Sequence, residues 1–226
     1  MEEFLGVLFC GGRGTRISKL TKYISKSFIP VFDKPVFEFG LKLLTDSESV
    51  NEILFLTNEE NDDKFRQCGY NTLIQDDKRV NDMFSGWDYI KDVTGTLKHG
   101  VLIPSDNICE VKIDKLTEKF IKMKADFLFS LHNIKVRRKL SDMGSYDTEA
   151  GKYYYKDPDP KSEYGVIAPY IIRNDLKFQS GENIFEGKNS YSLKHKGYWF
   201  DLGDYESIAE ANIWYRRKHK TKKSAL

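Results

Sequence analysis

The sequence predicts an α/β fold in which a mostly parallel sheet is flanked by helices. Two observations carry this reading. Apolar runs alternate with segments whose apolar residues recur at helical spacing, and four of the first five runs are continuously apolar, as strands buried on both faces are. Strands are expected over FLGVLFC (4–10), EILFLT (52–57), YNTLI (70–74), GVLIPSD (100–106) and DFLFSLH (126–132). Helices are expected between them, over PVFEFGLKLLTD (35–46), RVNDMFSGWDYIKD (79–92) and IDKLTEKFIKMK (113–124), with Pro35 suited to a first turn. After about residue 135 the chain turns polar and is punctuated by Gly, Pro and Asp, with an aromatic alternation that reads as hairpins. GVIAPYIIR (165–173) and SYSLKH (190–195) read as further strands. DYESIAEANIWYRRKHK (204–220) reads as a closing helix, with Asp204 as N-cap and Glu206 adding negative charge to the first turn.

A chain of 226 residues suits one large domain, expected here over residues 1–226 with functional halves at 1–132 and 133–226. With 40% hydrophobic and 14% aromatic residues it can bury a substantial core, which excludes global disorder. The 36 basic and 34 acidic residues nearly cancel, so net charge points to neither nucleic acid nor membrane. Cys10, Cys68 and Cys109 are widely spaced and form no CxxC pair, which argues against a disulfide framework or a zinc site. His99, His132, His195 and His219 are equally scattered and read as ordinary surface or packed residues. No apolar run is long enough to span a membrane, and MEEFLGVLF lacks the basic flank of a signal peptide; a cytoplasmic protein is expected.

FCGGRGTRIS (9–18) places three glycines and two arginines directly after the first strand. A glycine-rich turn whose backbone N–H groups face inward can bind phosphate. The P-loop pattern is absent, because Gly14 is followed by Thr15 and Arg16, and the dinucleotide fingerprint fails because Ile17 stands where its third glycine belongs. These residues alone fit either a plain turn with solvated arginines or an anion cradle.

GGRGTR followed by SKSFIPVFDKP (25–35) resembles the opening signature of the sugar-phosphate nucleotidylyltransferases, and of their glucose-1-phosphate thymidylyltransferase branch in particular. VLIPSDNI (101–108) looks like that family's strand ending in Gly-Asp-Asn, and YWFDLGDYESIAEAN (198–212) resembles its Trp-x-Asp-x-Gly segment. The resemblance implies a Rossmann-like sheet with a smaller β-rich substrate-binding insertion. It implies a reaction in which a phosphomonoester oxygen attacks the α-phosphorus of a nucleoside triphosphate and expels pyrophosphate. Such a displacement needs two polyanions aligned and their charge neutralised.

On this resemblance Gly11, Gly12, Gly14, Thr15 and Arg16 would bind the nucleotide, with Arg16 clamping the β- and γ-phosphates and Lys26 reaching the α-phosphate or the leaving group. Asp106 and Asp201 would hold Mg2+, which takes few protein carboxylates alongside water and phosphate oxygens. Lys156 would hold the acceptor phosphate, and Asn81, Asp82 and Ser105 fall where the family approaches the nucleotide. Arg13 falls at a variable position and reads as solvated, and Cys10 as packing. The expected partners are an NTP, pyrimidine by preference, and a small phosphomonoester, by default a sugar 1-phosphate; nucleic acid and membrane are not expected, and homo-oligomer formation is left open.

Three departures qualify the resemblance. KRVNDMF (78–84) replaces a segment rich in small residues that normally approaches the base. Tyr155 replaces the glutamate before the phosphate lysine that normally contacts sugar hydroxyls, and Ser105 replaces the glycine before the metal aspartate. Two alternatives therefore stand. One is a cytidylyltransferase activating a non-sugar phosphate, such as a phosphorylated amino alcohol or amino-acid amide for a surface polysaccharide. The other is a catalytically inactive binding or regulatory protein of the same fold. RRKHKTKKSAL (216–226) reads as a solvated basic terminus.

Overall fold

A computed structural model describes residues 2–178, 185 and 187–223, and the side chains of residues 219–223 fall outside that description. The chain runs β1 (Phe4–Phe9), a 3-10 turn (Thr15–Ile17), α1 (Ser18–Thr21), a second 3-10 turn (Lys26–Phe28), β2 (Pro30–Val31), β3 (Lys34–Pro35), α2 (Phe37–Thr45), β4 (Val50–Thr57) and α3 (Glu59–Gln67). It continues through β5 (Thr72–Ile74), α4 (Met83–Thr94), β6 (His99–Pro104), β7 (Asn107–Cys109), α5 (Ile113–Met123), β8 (Phe127–Asn133) and α6 (Arg137–Ser141). The last elements are β9 (Gly144–Asp147), β10 (Lys152–Tyr155), β11 (Tyr164–Ile172), β12 (Ser190–His195), β13 (Trp199–Asp201) and α7 (Tyr205–Lys223).

Among the described residues the main sheet has nine strands in the order β10-β9-β11-β6-β1-β4-β5, with β8 on β11 and β12 on β8. β6, β1, β4 and β5 are parallel, β11 enters antiparallel to β6 and β8, and β12 is parallel to β8. The expected mostly parallel α/β sheet is therefore present. β1 lies at its centre, and the chain leaves it first toward β4 and later returns to its other side as β6. Loops leaving the carboxyl ends of β1 and β6 diverge at this switch point and open a crevice.

Side-chain alternation along β1 feeds both faces of the sheet. Phe4 and Leu8 join Leu44, Phe55, Phe65 and Phe120 on one side, whereas Leu5 and Val7 join Leu56, Trp87, Ile90 and Phe127 on the other. A third apolar cluster is built from Ile17, Ile29, Val31, Val36, Ile108, Leu202 and Ala211.

Several local expectations shift. Pro35 does not open α2; it pairs with Pro30 in the small β2–β3 ladder, and the helix starts at Phe37. α4 begins at Met83 because Asp82 is its N-cap, accepting from the Phe84 and Ser85 amides at 2.9 and 2.7 Å. α3 has no sequence-based counterpart, because EENDDKFRQ carries a single large apolar side chain. That side chain, Phe65, is fully buried and packs against Phe28, Phe37 and Phe55 with ring centroids 4.9–5.2 Å apart. Such ring pairs add roughly 0.5–1.5 kcal/mol each beyond burial, enough to dock a polar helix on one anchor. The polar stretch after residue 135 forms α6 and the β9–β10 hairpin, which extends the main sheet through β11. Asp204 caps α7 as expected, accepting from the Ser207 amide at 2.7 Å. The basic run continues that helix through Lys223, and residues 224–226 lie outside the described residues. Among the described residues no helix is long and apolar enough to cross a membrane.

The histidines do not stay scattered. The β8–β12 register sets His132 opposite His195, with their Nδ1 atoms 3.0 Å apart. His195 Nε2 lies 3.1 Å from the Glu110 carbonyl, which can only accept, so His195 carries its proton on Nε2 and His132 donates from Nδ1. Burial holds both imidazoles below their ordinary range, and in His132 the neighbouring His195 adds to it. The folded state thus prefers the neutral pair. Its stabilisation is complete above about pH 6.5 and is lost as pH falls below that value, where the unfolded chain protonates first. Melting temperature should therefore drop between pH 7.5 and 5, and His132→Asn should show a shallower drop over the same range. An unchanged slope in the variant would remove the pair from the pH response.

Gly14 precedes the first 3-10 turn with φ 62° and ψ 40°, and a Cβ there would come within 2.5 Å of Thr21 Cγ2. Gly14→Ala should destabilise the protein by about 1–2 kcal/mol from backbone conformation alone, read as a fall in melting temperature of a few degrees.

Candidate active site

The glycine loop continues from the buried carboxyl end of β1 and is fixed at both ends. Asn58 donates to the Gly11 carbonyl at 3.3 Å, and the Gly14 carbonyl accepts from the Ile17 amide and Thr21 Oγ1 at 3.0 and 3.1 Å. Between these anchors the amides of Gly12, Arg13 and Gly14 donate to no protein acceptor among the described residues. Exposed, unpaired amides on a fixed turn form an anion-binding concavity. Nothing lies within 4 Å of where a Gly12 Cβ would project, so the protein itself does not require glycine there.

A cavity of about 490 Å3 opens over this loop at the switch point, and Gly11, Gly12, Lys26, Asn81, Asp82, Ser105 and Asp106 line it together. Most of the sequence-expected set thus meets in one place. Two members are already engaged. Asp82 caps α4, and the Ser105 hydroxyl is buried against Ser27 Oγ at 2.8 Å beneath the loop. Thr15 is exposed on the first 3-10 turn and does not line this cavity.

The second carboxylate arrives by a short antiparallel ladder. β13 pairs with β7 so that Asp201 stands opposite Asn107, and the Leu202 amide donates to the Asp106 carbonyl at 3.0 Å. Asp106 is bound by Lys26, each side chain being 14% exposed, and its Oδ1 accepts from Asn107 Nδ2 at 3.1 Å. Burial pushes the Asp106 carboxyl upward, but the Lys26 ammonium and these hydrogen bonds outweigh it and hold the group below the ordinary carboxylate range. Asp201 is raised, by burial first and then by the adjacent Asp106 charge, against the pull of Lys26 and Arg16. Its Oδ1 is buried without a hydrogen-bond partner among the described residues. A buried carboxylate oxygen with no donor, beside a second carboxylate, is an environment a divalent cation would satisfy. No group of three or more His, Cys, Asp or Glu residues gathers among the described residues, so water and ligand oxygens would complete such a site.

Arg16 lies on the other side of Asp201, with its guanidinium 4.0 Å from Asp201 Oδ2, in a smaller cavity of about 130 Å3 shared with Lys139, Trp199 and Asp204. Lys139, which the sequence reading did not single out, reaches Ser207 Oγ at 3.3 Å and Glu210 at 3.8 Å. Lys156 is not brought to either cavity. It is exposed at φ 50°, its amide donates to the Met143 carbonyl at 3.0 Å, and its ammonium sits 5.1 Å above the Tyr155 ring.

Arg13, read as solvated, is 72% exposed and pairs at the surface with Asp77. Asp77 also accepts from Gln75 Nε2 at 2.7 Å, and these contacts hold its carboxyl below the usual range. Gln75 and Asp77 line the glycine-loop cavity and were missed. One signal could have found Gln75: it follows the carboxyl end of β5, where open parallel sheets concentrate ligand contacts.

The sequence pattern of the family described as Nucleotidyl transferase matches residues 5–177. Two curated relatives, both named glucose-1-phosphate adenylyltransferase, come from Acetivibrio thermocellus and Fusobacterium nucleatum. They are 22% and 24% identical over 94% of this chain, which spans 60% and 66% of their respective lengths. The fold matches a structure described as a glucose-1-phosphate thymidylyltransferase of Bacillus anthracis in complex with sucrose. The TM-score is 0.79 at 21% identity, covering 94% of this chain and 95% of the other. It also matches a UDP-glucose pyrophosphorylase complexed with UDP-glucose, with a TM-score of 0.72 at 18% identity over 96% and 100% of the two chains. With the family pattern running from β1 beyond β11, the chain belongs to the nucleotidyl transferase family.

Proposed function

We propose that this protein is a metal-dependent nucleotidylyltransferase that moves a nucleoside monophosphate from an NTP to a phosphomonoester and releases pyrophosphate. A sugar 1-phosphate is the first candidate acceptor and a pyrimidine nucleotide the first candidate donor. The observation that carries this reading is the Asp106–Asp201 pair. It holds one unpartnered buried oxygen and is flanked by Lys26 and Arg16; Asp106 lines the glycine-loop cavity and Asp201 the smaller cavity that holds Arg16.

In this reading the free amides of Gly12, Arg13 and Gly14 receive phosphate oxygens, and Arg16 gathers the β- and γ-phosphates with its planar donors. Lys26 exchanges its bond to Asp106 for an oxygen on the α-phosphate or the leaving group. Asp106 and Asp201 would hold Mg2+, which when bound neutralises charge building on the phosphates. A phosphomonoester has its second pKa near about 6 and is therefore already a nucleophilic dianion close to neutrality. No general base is required, in keeping with a cavity lining that includes no histidine.

One observation favours a different acceptor. Tyr155 is 57% exposed and lies against Lys156, so the residue before the candidate phosphate lysine presents an aromatic face and not a carboxylate. That supports the non-sugar acceptor of the cytidylyltransferase alternative, a phosphorylated amino alcohol or amino-acid amide in place of a sugar phosphate.

A screen of CTP, UTP, dTTP and ATP against hexose 1-phosphates and phosphorylated amino alcohols and amides, read by pyrophosphate release and product mass, should give magnesium-dependent turnover. Turnover confined to non-sugar acceptors selects the alternative, and NTP binding with no turnover in any combination selects the inactive binding protein. Asp106→Asn should reduce turnover by about 100-fold or more and abolish the magnesium dependence of NTP binding. Unchanged values would withdraw the metal assignment. Gly12→Ala, which meets no protein atom, should leave the melting temperature unchanged and weaken NTP binding; wild-type affinity would remove the loop from the nucleotide site.

A further inference from the structure

The geometry points to Gly203 as the positioning residue for Arg16. Gly203 is buried in the turn between Asp201 and the α7 cap Asp204, yet it is not among the residues with positive φ, so the turn itself does not demand glycine. What does demand it is Arg16. A Cβ at position 203 would lie 2.4 Å from one terminal guanidinium nitrogen of Arg16, 2.8 Å from its Cζ and 3.2 Å from the other nitrogen. The guanidinium therefore rests on the bare Cα of Gly203.

This contact matters because little else fixes Arg16. Among the described residues its one ionic contact is the 4.0 Å approach to Asp201, no hydrogen bond holds its guanidinium, and its side chain is 59% exposed. Asp204, whose carboxyl also feels the Arg16 charge, is occupied by the Ser207 amide. Gly203 thus acts as a floor that sets the depth of the guanidinium beside Asp201 while leaving its five donors free for a polyanion. The three atoms nearest to a methyl group at this floor all belong to the far end of a long side chain, which can swing aside without disturbing the backbone. The fold tolerates the change, and Arg16 is displaced by about 1 Å, a shift that can cost up to about 100-fold in rate.

This inference rests on Arg16 acting as the phosphate clamp, and the test separates the two claims. Arg16→Ala, Gly203→Ala and the double variant are compared in the full chain. The readouts are kcat/KM with the NTP and acceptor found by the screen, calorimetric binding of magnesium pyrophosphate, and melting temperature. Gly203→Ala is expected to melt at or slightly above the wild-type temperature, since the backbone is permissive there. It should lose about 10- to 100-fold in kcat/KM and weaken pyrophosphate binding. The double variant should be no worse than Arg16→Ala alone, because both changes remove one interaction. If Arg16→Ala is impaired while Gly203→Ala is not, or if the two losses multiply, the positioning role is overturned and the clamp stands. If Arg16→Ala is itself unimpaired, clamp and floor both fall.

Discussion

The candidate site depends on an apolar cluster that touches none of its chemistry. Ile17 follows Arg16, Ile29 and Val31 follow Lys26, Ile108 lies just past Asp106, and Leu202 follows Asp201, and all five are buried together with Val36 and Ala211. Each polar residue of the site is thus anchored through a neighbour in sequence that the solvent cannot reach. Burying five such side chains, each worth on the order of 1.5–3 kcal/mol, supplies the free energy to hold four charged groups close together. Charged groups brought together without such support would spread apart or take up counterions. The β7–β13 ladder then converts this anchoring into register, since Asp201 can face Asn107 only while Ile108 and Leu202 share the same apolar cluster.

α7 takes part in the same construction. Asn212 accepts from the Phe32 amide at 2.8 Å and donates to the Pro30 carbonyl at 3.4 Å, while Asp204 caps the helix next to Asp201. The helix therefore ties the segment carrying Lys26 to the segment carrying Asp201. Two parts of the chain far apart in sequence are braced by one element, and the resting geometry of the site follows from that brace.

How much of this was legible in the sequence varied with the physics behind each part. Strands buried on both faces announce themselves by composition, and β12 fell on the residues expected of it. α5, amphipathic along its length, was equally plain. α3 was not, because its stability comes from Phe65 entering an aromatic cluster assembled by four other segments, a tertiary fact with no local signature. The glycine loop, Asp106 and Asp201 were legible as a pattern; the loop and Asp106 meet past the adjacent ends of β1 and β6, and the β7–β13 ladder brings Asp201 to them. Arg13 is solvated as read, but its surface pairing with Asp77 was not legible because that partner is remote in sequence, and the His132–His195 contact depends on a parallel register that no spacing encodes. Lys156 matched its motif loosely, and it lies exposed against the Tyr155 ring.

The pairing of cations with acids has a consequence for encounter. Arg13 meets Asp77, Lys26 meets Asp106 and Arg16 approaches Asp201, so every arginine or lysine at the mouth faces its own counter-charge, on a chain whose net charge is only +2. The empty cleft is electrically quiet and projects little field beyond a Debye length. A small polyanion would then be captured by diffusion and local rearrangement with little long-range steering, at a rate only weakly dependent on ionic strength.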